Sequence, residues 1–482
     1  MPGPILRLLS AAFVVTLVAV LAGCAESTKR PATSTATATG SASSTTTTTQ
    51  RTVQQTTTAA GDAGTSGKST TVTTGSTRLR GSASSYGYTY GQPSGNRVVG
   101  GTGDLPSSRP VDVRLGGTPT WVVGVPLDEG TAWVVTLEDG RVEAYKPNGN
   151  GKLTPYPITP DRLPSGEPPL VKMKGDSLKL ITARGVRTSK LTAPIPVPLD
   201  KENALVGVRE DGGLFVERGS GLVESLPVEA LPDARLARSE SGMVATLSDP
   251  TGSYPHGAIG DELEARAMTL LKPAGKDLTA SGRIRPASGG IFESNAPLWF
   301  RMPGVKGEVL PIAETSPEKG ARVSVYAPSG ELVAAGPFIG ERFKWRHVLA
   351  AGPFGPNGET EVAATRTPHV GPRIAFYRPD KTSKELKVSA SLPGYTSHRI
   401  YTRNMDTIRA GDLDGDGRWE LLVPNEDYTT LAAVRHEKSG ARVAWTLPAG
   451  GVISTNLASV TDQKGHASIA AGRSDGVLRV WP

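Results

Sequence analysis

The sequence predicts an all-β chain of repeated four-stranded units that close radially into a β-propeller, and three observations carry that reading. Glycine and proline number 57 and 39 of 482 residues while aromatic residues make up only 5%, a composition of tight turns and short strands. A strand phrase recurs: Arg141-Val142-Glu143-Ala144-Tyr145-Lys146-Pro147 returns as Arg322-Val323-Ser324-Val325-Tyr326-Ala327-Pro328, as Arg373-Ile374-Ala375-Phe376-Tyr377-Arg378-Pro379, and without its arginine as Val477-Leu478-Arg479-Val480-Trp481-Pro482. Apolar and polar residues alternate in each copy, the period of a strand, and proline stops it at a turn. A second phrase precedes the first: Ala351-Gly352-Pro353-Phe354-Gly355-Pro356-Asn357-Gly358 with Glu361-Val362-Ala363 matches Ala410-Gly411-Asp412-Leu413-Asp414-Gly415-Asp416-Gly417 with Glu420-Leu421-Leu422. Units of roughly 45–60 residues repeated in this way form an array around an axis, because no single unit buries its own apolar faces.

At the start of the chain, Arg7 precedes an apolar run, Leu8 to Leu21, that ends in Leu21-Ala22-Gly23-Cys24. At about 14 residues the run is short of the about 20 that span a bilayer, and it has the layout of a secretory signal. Its closing residues resemble a bacterial lipobox. That resemblance implies cleavage before the chain's one cysteine, a mature protein beginning at lipidated Cys24, and acyl chains that hold it on a bacterial cell membrane. Ala25 is not the aspartate that resembles an inner-membrane retention signal, so a diderm host would send the protein to its outer membrane. One cysteine also excludes an intramolecular disulfide and a cysteine metal cluster. From Ala25 to about Asp104 the chain is threonine, serine, alanine and glycine, with too little apolar surface to offset its ordering entropy. Tyr86, Tyr88 and Tyr90 read as part of this biased linker. Some 75 such residues would reach about 45–50 Å on average. The expected organisation is a signal peptide over 1–23, a lipidated cysteine and disordered linker over 24–104, and a repeat domain over 105–482.

Within that domain the clearest hairpins are Trp133/Val142, Val206/Phe215, Val362/Phe376, Leu422/Ala433 and Ile469/Val480, with Asp139-Gly140, Asp211-Gly212 and Asp475-Gly476 at turns. About eight central hairpins in all, the weakest around Leu178, favour eight blades, or seven if Pro168 to Leu199 belongs to its neighbours. The last unit, from Leu457 to Pro482, has room for only three strands. Val111-Asp112-Val113-Arg114-Leu115 is a strand that would complete it and close the ring without an exposed edge. The tryptophans fall on or beside different strands, which suits packing between blades.

One loop stands apart chemically. Asp412-Leu413-Asp414-Gly415-Asp416-Gly417-Arg418-Trp419-Glu420 supplies alternate carboxylates and a turn-permitting glycine, the hard oxygen donors a calcium ion prefers. It departs from an EF-hand at Val423, where the bidentate glutamate would stand, and Leu421-Leu422-Val423 continues as a strand. With the repeats, this loop resembles those of FG-GAP/VCBS-type propellers. The resemblance implies one structural calcium held by Asp412, Asp414, Asp416 and Glu420 with the carbonyl of Arg418. It is closest over Gly304 to Pro482, and the family's Phe-Gly and Gly-Ala-Pro signature is absent as such.

The formal charge is +7, and the cations are scattered without a basic run or aromatic interleaving, which argues against nucleic acid as a partner. No His-Glu-x-x-His, Walker loop or catalytic cysteine occurs in the repeat domain. The expected function is therefore a membrane-anchored extracytoplasmic binding or scaffold protein that recognises an envelope protein or glycan. The alternative is a propeller enzyme acting on polysaccharide or using a quinone. In blades read A to D outward, the A–B connection carries the calcium-like loop, while the B–C and D–A connections lie on the other face. That face would present His256 from the Thr251–Glu264 insertion, His369, His398 and Arg399, together the expected partner surface.

Overall fold

The computed structural model describes residues 86–90, 92–101, 103–128, 130–199, 202–380 and 382–482. Cys24, the signal segment and most of the expected linker lie outside the described residues. Among the described residues there is no helix, and so none that is long and apolar enough to cross a membrane. The chain is all-β as predicted, with six sheets of four strands and one of nine.

Sheet I comprises Pro119–Pro126, Thr131–Leu137, Val142–Pro147 and Leu153–Pro155 in that order; sheet III runs Ile195–Leu199, Glu202–Val208, Gly213–Glu217 and Val223–Glu229. Sheet V runs Arg346–Gly352, Glu361–Arg366, Arg373–Pro379 and Leu386–Pro393, and sheet VI runs Arg409–Gly411, Glu420–Pro424, Thr430–Glu437 and Gly440–Pro448. All four are antiparallel meanders, and the hairpins expected from sequence are present, with Leu422 facing Ala433. Gly140 and Gly212 take up positive φ at two of the Asp-Gly turns, where a side chain would be strained. The nine-stranded sheet IV begins with Ala237–Arg238, Val244–Thr251, Glu264–Ala274 and Asp277–Ile284. It continues through Ile291–Phe292 and Phe300–Arg301 to Glu308–Ser316, Gly320–Tyr326 and Leu332–Ala335, the two parts joined where Ala265 faces Phe292.

Two sheets recruit strands from far away in sequence. In sheet VII, Ile453–Thr461, Ala467–Arg473 and Val477–Trp481 are completed by Val111–Arg114, with Val111 opposite Val480 and Arg114 opposite Val477. The strand expected to complete this last unit is thus present. Sheet II pairs Leu170–Lys174 with Ser177–Leu180, adds Ile158–Thr159 in parallel, and takes Tyr86–Tyr88 on its other edge, Tyr86 opposite Lys172.

Central strands are buried on both faces, and adjacent residues serve different neighbours. Val122 packs towards Ala458 and Leu478 of sheet VII, whereas the next residue, Val123, packs towards Val171 and Leu178 of sheet II. Likewise Ala363 joins sheet VI while Val362 and Ala364 join sheet IV, and Leu422 joins sheet VII while Leu421 and Val423 join sheet V. This two-sided burial is why such strands read as continuous apolar runs. Outer strands differ: Leu386–Pro393 is mostly exposed or half-buried.

The linker does not extend to Asp104 as the composition suggested. Between Tyr86 and Leu105 the chain runs past six sheets in turn. Thr89 donates to the Pro169 carbonyl beside sheet II (2.7 Å), the Ala193 amide beside sheet III donates to the Tyr90 hydroxyl (2.7 Å), and the Trp299 amide beside sheet IV donates to the Ser94 carbonyl (2.9 Å). Asn96 then bonds Ala351 of sheet V in both directions (2.9 and 3.1 Å), the Val99 amide donates to Ala410 of sheet VI (2.7 Å), and Thr461 of sheet VII donates to Gly100. Tyr90, Val98, Val99 and Leu105 are buried. Gly101 has φ of +83°, and a Cβ there would lie 2.3 Å from the Gly465 carbonyl. Glycine in this stretch serves close packing, which composition alone does not distinguish from a flexible tether.

Candidate functional site

The acidic loop joins the first two strands of sheet VI. Donor oxygens of Asp412, Asp414 and Glu420 lie within 4.8 Å of one another, a set able to hold a metal. Their surroundings include a residue that sequence reasoning missed, Arg435. Its Nη2 reaches Asp414 Oδ2 at 2.8 Å, its Nη1 reaches Asp416 Oδ2 at 3.0 Å, and its Nε donates to Glu420 Oε1 at 2.9 Å. Asp416 turns to Arg435 and Arg418 instead of joining the triad; Arg418 also pairs with Glu437 at 3.1 Å. The Trp445 indole donates to Asp414 Oδ2 at 2.9 Å, and the Leu413 amide donates to Glu420 Oε2 at 3.0 Å. Burial pushes Glu420 up to about 7 against the pull of Arg435. Burial also raises Asp412, whose Oδ1 is buried without a hydrogen-bond partner.

A glutamate opening the second strand and an arginine on the third recur in sheet V as Glu361 and Arg378, 2.8 Å apart. The phrase match between 351–363 and 410–422 contained this signal, since Glu361 and Glu420 align. Glu420–Arg435 is thus the local copy of a repeated structural ion pair, and any cation in the loop shares its oxygens.

The second cluster gathers three of the four residues expected on the partner face. His369 stands between Glu361–Arg366 and Arg373–Pro379, His398 precedes Arg409–Gly411, and His256 lies between Val244–Thr251 and Glu264–Ala274. His369 Nε2 is 3.1 Å from His398 Nε2, the spacing of one imidazole donating to another. His398 also packs edge-on against Trp345, whose ring stacks on His347 at 5.6 Å. Ser397 Oγ lies 2.9 Å from His347 Nδ1 and 3.2 Å from His398 Nδ1. Burial holds His369 down to about 4, with the charge of His256 adding to the effect. Burial and the nearby guanidiniums hold His347 and His398 well below the ordinary range. His256 makes a short contact with the buried Glu293. Ala258 and Ile259 of the same insertion pack with Trp345 and Met405.

Arg399 does not join them. It is exposed, lies over the Tyr428 ring at 4.1 Å and donates to the Ile453 carbonyl at 3.1 Å.

Behind the histidines is an ion network that sequence reasoning did not anticipate. Asp406 is 1% exposed and takes Arg97 Nε at 2.6 Å and Arg235 on its other oxygen. Burial raises its pKa, but Arg235, Arg97 and Arg409 outweigh that and hold it at about 2. Arg97 donates further to Val348 and Leu349 of sheet V at 3.2 and 2.9 Å, fastening the N-terminal segment. Asp406 and His398 precede the strand Arg409–Gly411, and Asp414 follows it, so the histidine cluster and the acidic loop sit at its opposite ends.

No protein-family model matches the chain, and no curated protein is similar to it.

Proposed function

We propose that this protein is an extracytoplasmic binding or scaffold protein, held on a membrane by lipid at Cys24 and recognising an envelope component. The reading is supported above all by the convergence of connections from sheets IV, V and VI, which places His256, His369 and His398 together at one end of the strands. Loops gathered on a stiff scaffold are where recognition residues are commonly presented. The scaffold itself is proposed to be a closed eight-bladed propeller. Sheet IV counts as two blades fused through the Ala265–Phe292 pairing, and the strand Val111–Arg114 closes the last blade onto the start of the domain. Calcium is proposed as a stabilising ion at Asp412, Asp414 and Glu420, favoured by the unpartnered Asp412 Oδ1 and by a carboxylate excess that Arg435 and Arg418 do not cancel.

The test is recovery of envelope partners by the full chain. Wild-type protein is expected to retain a specific component from envelope extracts. The variant His256→Ala/His369→Ala/Arg399→Ala, which leaves the buried His398 in place, is expected to lose it. Undiminished retention would refute the assignment of this rim.

A further inference from the structure

Three arginines stand directly opposite one another across sheet V. Arg346 faces Arg366 in one strand pair, and Arg366 faces Arg373 in the next, so the three side chains leave the same face of three adjacent strands. Like charges in directly opposed positions destabilise a sheet. None of the three has a carboxylate partner among the described residues. Arg346 is 5% exposed and bonds only neutral groups: the Ala321 and Pro337 carbonyls, each at 3.2 Å, and the Tyr377 hydroxyl. Arg373 donates to Ser391 Oγ at 3.2 Å. Tyr377 does not serve as a hidden counter-charge, since burial pushes its phenol up and keeps it neutral. Burial and the charge of Arg366 hold Arg346 below the usual arginine range.

The row lines a cavity of about 240 Å³ whose remaining walls include Phe338, Ile339, Tyr377, Val388 and Ser391, with no acidic side chain among them. That volume is just under the about 300 Å³ at which pockets for drug-sized ligands begin, and exceeds by several times the roughly 30 Å³ share of a single water. The site therefore has guanidinium donors suited to a bidentate oxyanion, hydroxyls from Tyr377 and Ser391, and apolar walls beyond them. Arg366 and Arg373 flank the connection that carries His369, which puts the cavity at the rim already assigned to partner binding.

We propose that Arg346, Arg366 and Arg373 form a binding site for an anionic sugar of an envelope glycan, its carboxylate or phosphate taken by the guanidiniums and its ring held against Tyr377, Phe338 and Val388. This rests on the binding-protein reading for its setting, but not for its chemistry. An inorganic oxyanion would satisfy the charge and leave the apolar walls uncovered; a neutral sugar would leave the arginine row uncompensated.

The full chain, titrated calorimetrically at fixed ionic strength with sodium glucuronate, glucose 6-phosphate, glucose and inorganic phosphate, tests this. Binding of at least one of the two charged sugars is expected, at least tenfold tighter than either glucose or phosphate. Arg366→Ala and Arg373→Ala, at less buried positions, are each expected to weaken it about tenfold or more, the size of a lost hydrogen bond between charged groups. Thermal melting supplies a second readout. The bound sugar should raise the wild-type melting temperature and leave that of Arg366→Ala unmoved, while Arg366→Ala without ligand should melt at or above wild type because a like-charge pair has been relieved. Binding of glucose as tight as the charged sugars, equal affinity for inorganic phosphate, or binding that survives both variants would overturn the proposal. Failure of the envelope pull-down with this sugar binding intact would reject only the broader reading.

Discussion

Replacing Asp406 by alanine would leave Arg97 and Arg235 buried without their carboxylate, and losses of that kind cost about 3–5 kcal/mol. Arg97→Ala should cost a similar amount, and the double variant less than the sum, because the two residues share one interaction; urea denaturation of the three proteins checks this. The histidines behave differently because they are buried neutral. An imidazole takes its proton near pH 6.5 when unfolded, whereas His369 is held down to about 4 and His347 and His398 are also depressed. Their stabilising contribution is therefore whole above pH 6.5 and is lost as pH falls from there through 4. Glu420 and Glu167, both pushed up to about 7 by burial, act oppositely: their ionisation destabilises the fold as pH rises from about 4.5 to 7. Urea midpoints measured between pH 7 and 4 should fall more steeply towards acid for wild type than for His369→Gln, and parallel curves would disprove the assignment.

At the level of elements, the loop between Arg409–Gly411 and Glu420–Pro424 is a contest between a guanidinium and a divalent cation for the same oxygens. Millimolar calcium is expected to raise the melting temperature, Asp414→Ala to abolish the rise, and Arg435→Gln to enlarge it by freeing Glu420 and Asp414. Identical melting curves in chelator and calcium for wild type and Arg435→Gln would exclude the ion. The acidic spacing was legible in the sequence because the donors lie within nine residues of one another. Arg435 was not, since its approach depends on the pairing of Leu422 with Ala433 that brings the third strand alongside. The arginine row is a starker case: Arg366 and Arg373 are close in sequence, but their opposition to Arg346 follows from register across a long loop. By contrast the hairpins around Trp133, Leu422 and Ile469 were readable from strand alternation and turn glycines, both of which are local. The histidine rim was predicted from strand order; Arg399 lies at the same end, over Tyr428 between the second and third strands of sheet VI, but apart from the histidines, because connectivity fixes which end of a sheet a loop occupies and not where a long side chain points.

For the molecule as a whole, the segment from Tyr86 to Leu105 is the largest departure from expectation. Its apolar anchors, Tyr90, Val98, Val99 and Leu105, are spaced among glycine and serine at intervals with no strand or helix period, so no pattern in the sequence marks them as core. Each buried side chain of this kind contributes about 1.5–3 kcal/mol. Deletion of residues 86–105 is therefore expected to lower stability by at least about 5 kcal/mol, whereas deletion of 30–80, which lie outside the described residues, is expected to leave the melting temperature unchanged. Circular dichroism melts of the two truncations decide between a linker that ends at Asp104 and a fold that reaches back to Tyr86.

The pairing of Val111–Arg114 with Val477–Trp481 has a consequence for how the protein is made. A polypeptide synthesised amino end first presents Val111–Arg114 several hundred residues before its partner emerges, so for most of synthesis that strand has no edge to join. Contacts of such long sequence separation form late and slowly, and the waiting segment is exposed to wrong pairings in the meantime. Folding that waits until Val477–Trp481 has emerged suits this topology. A product ending even at Gly476 would lack the strand to which its beginning must attach, and quality-control proteases would meet an open sheet edge at each end.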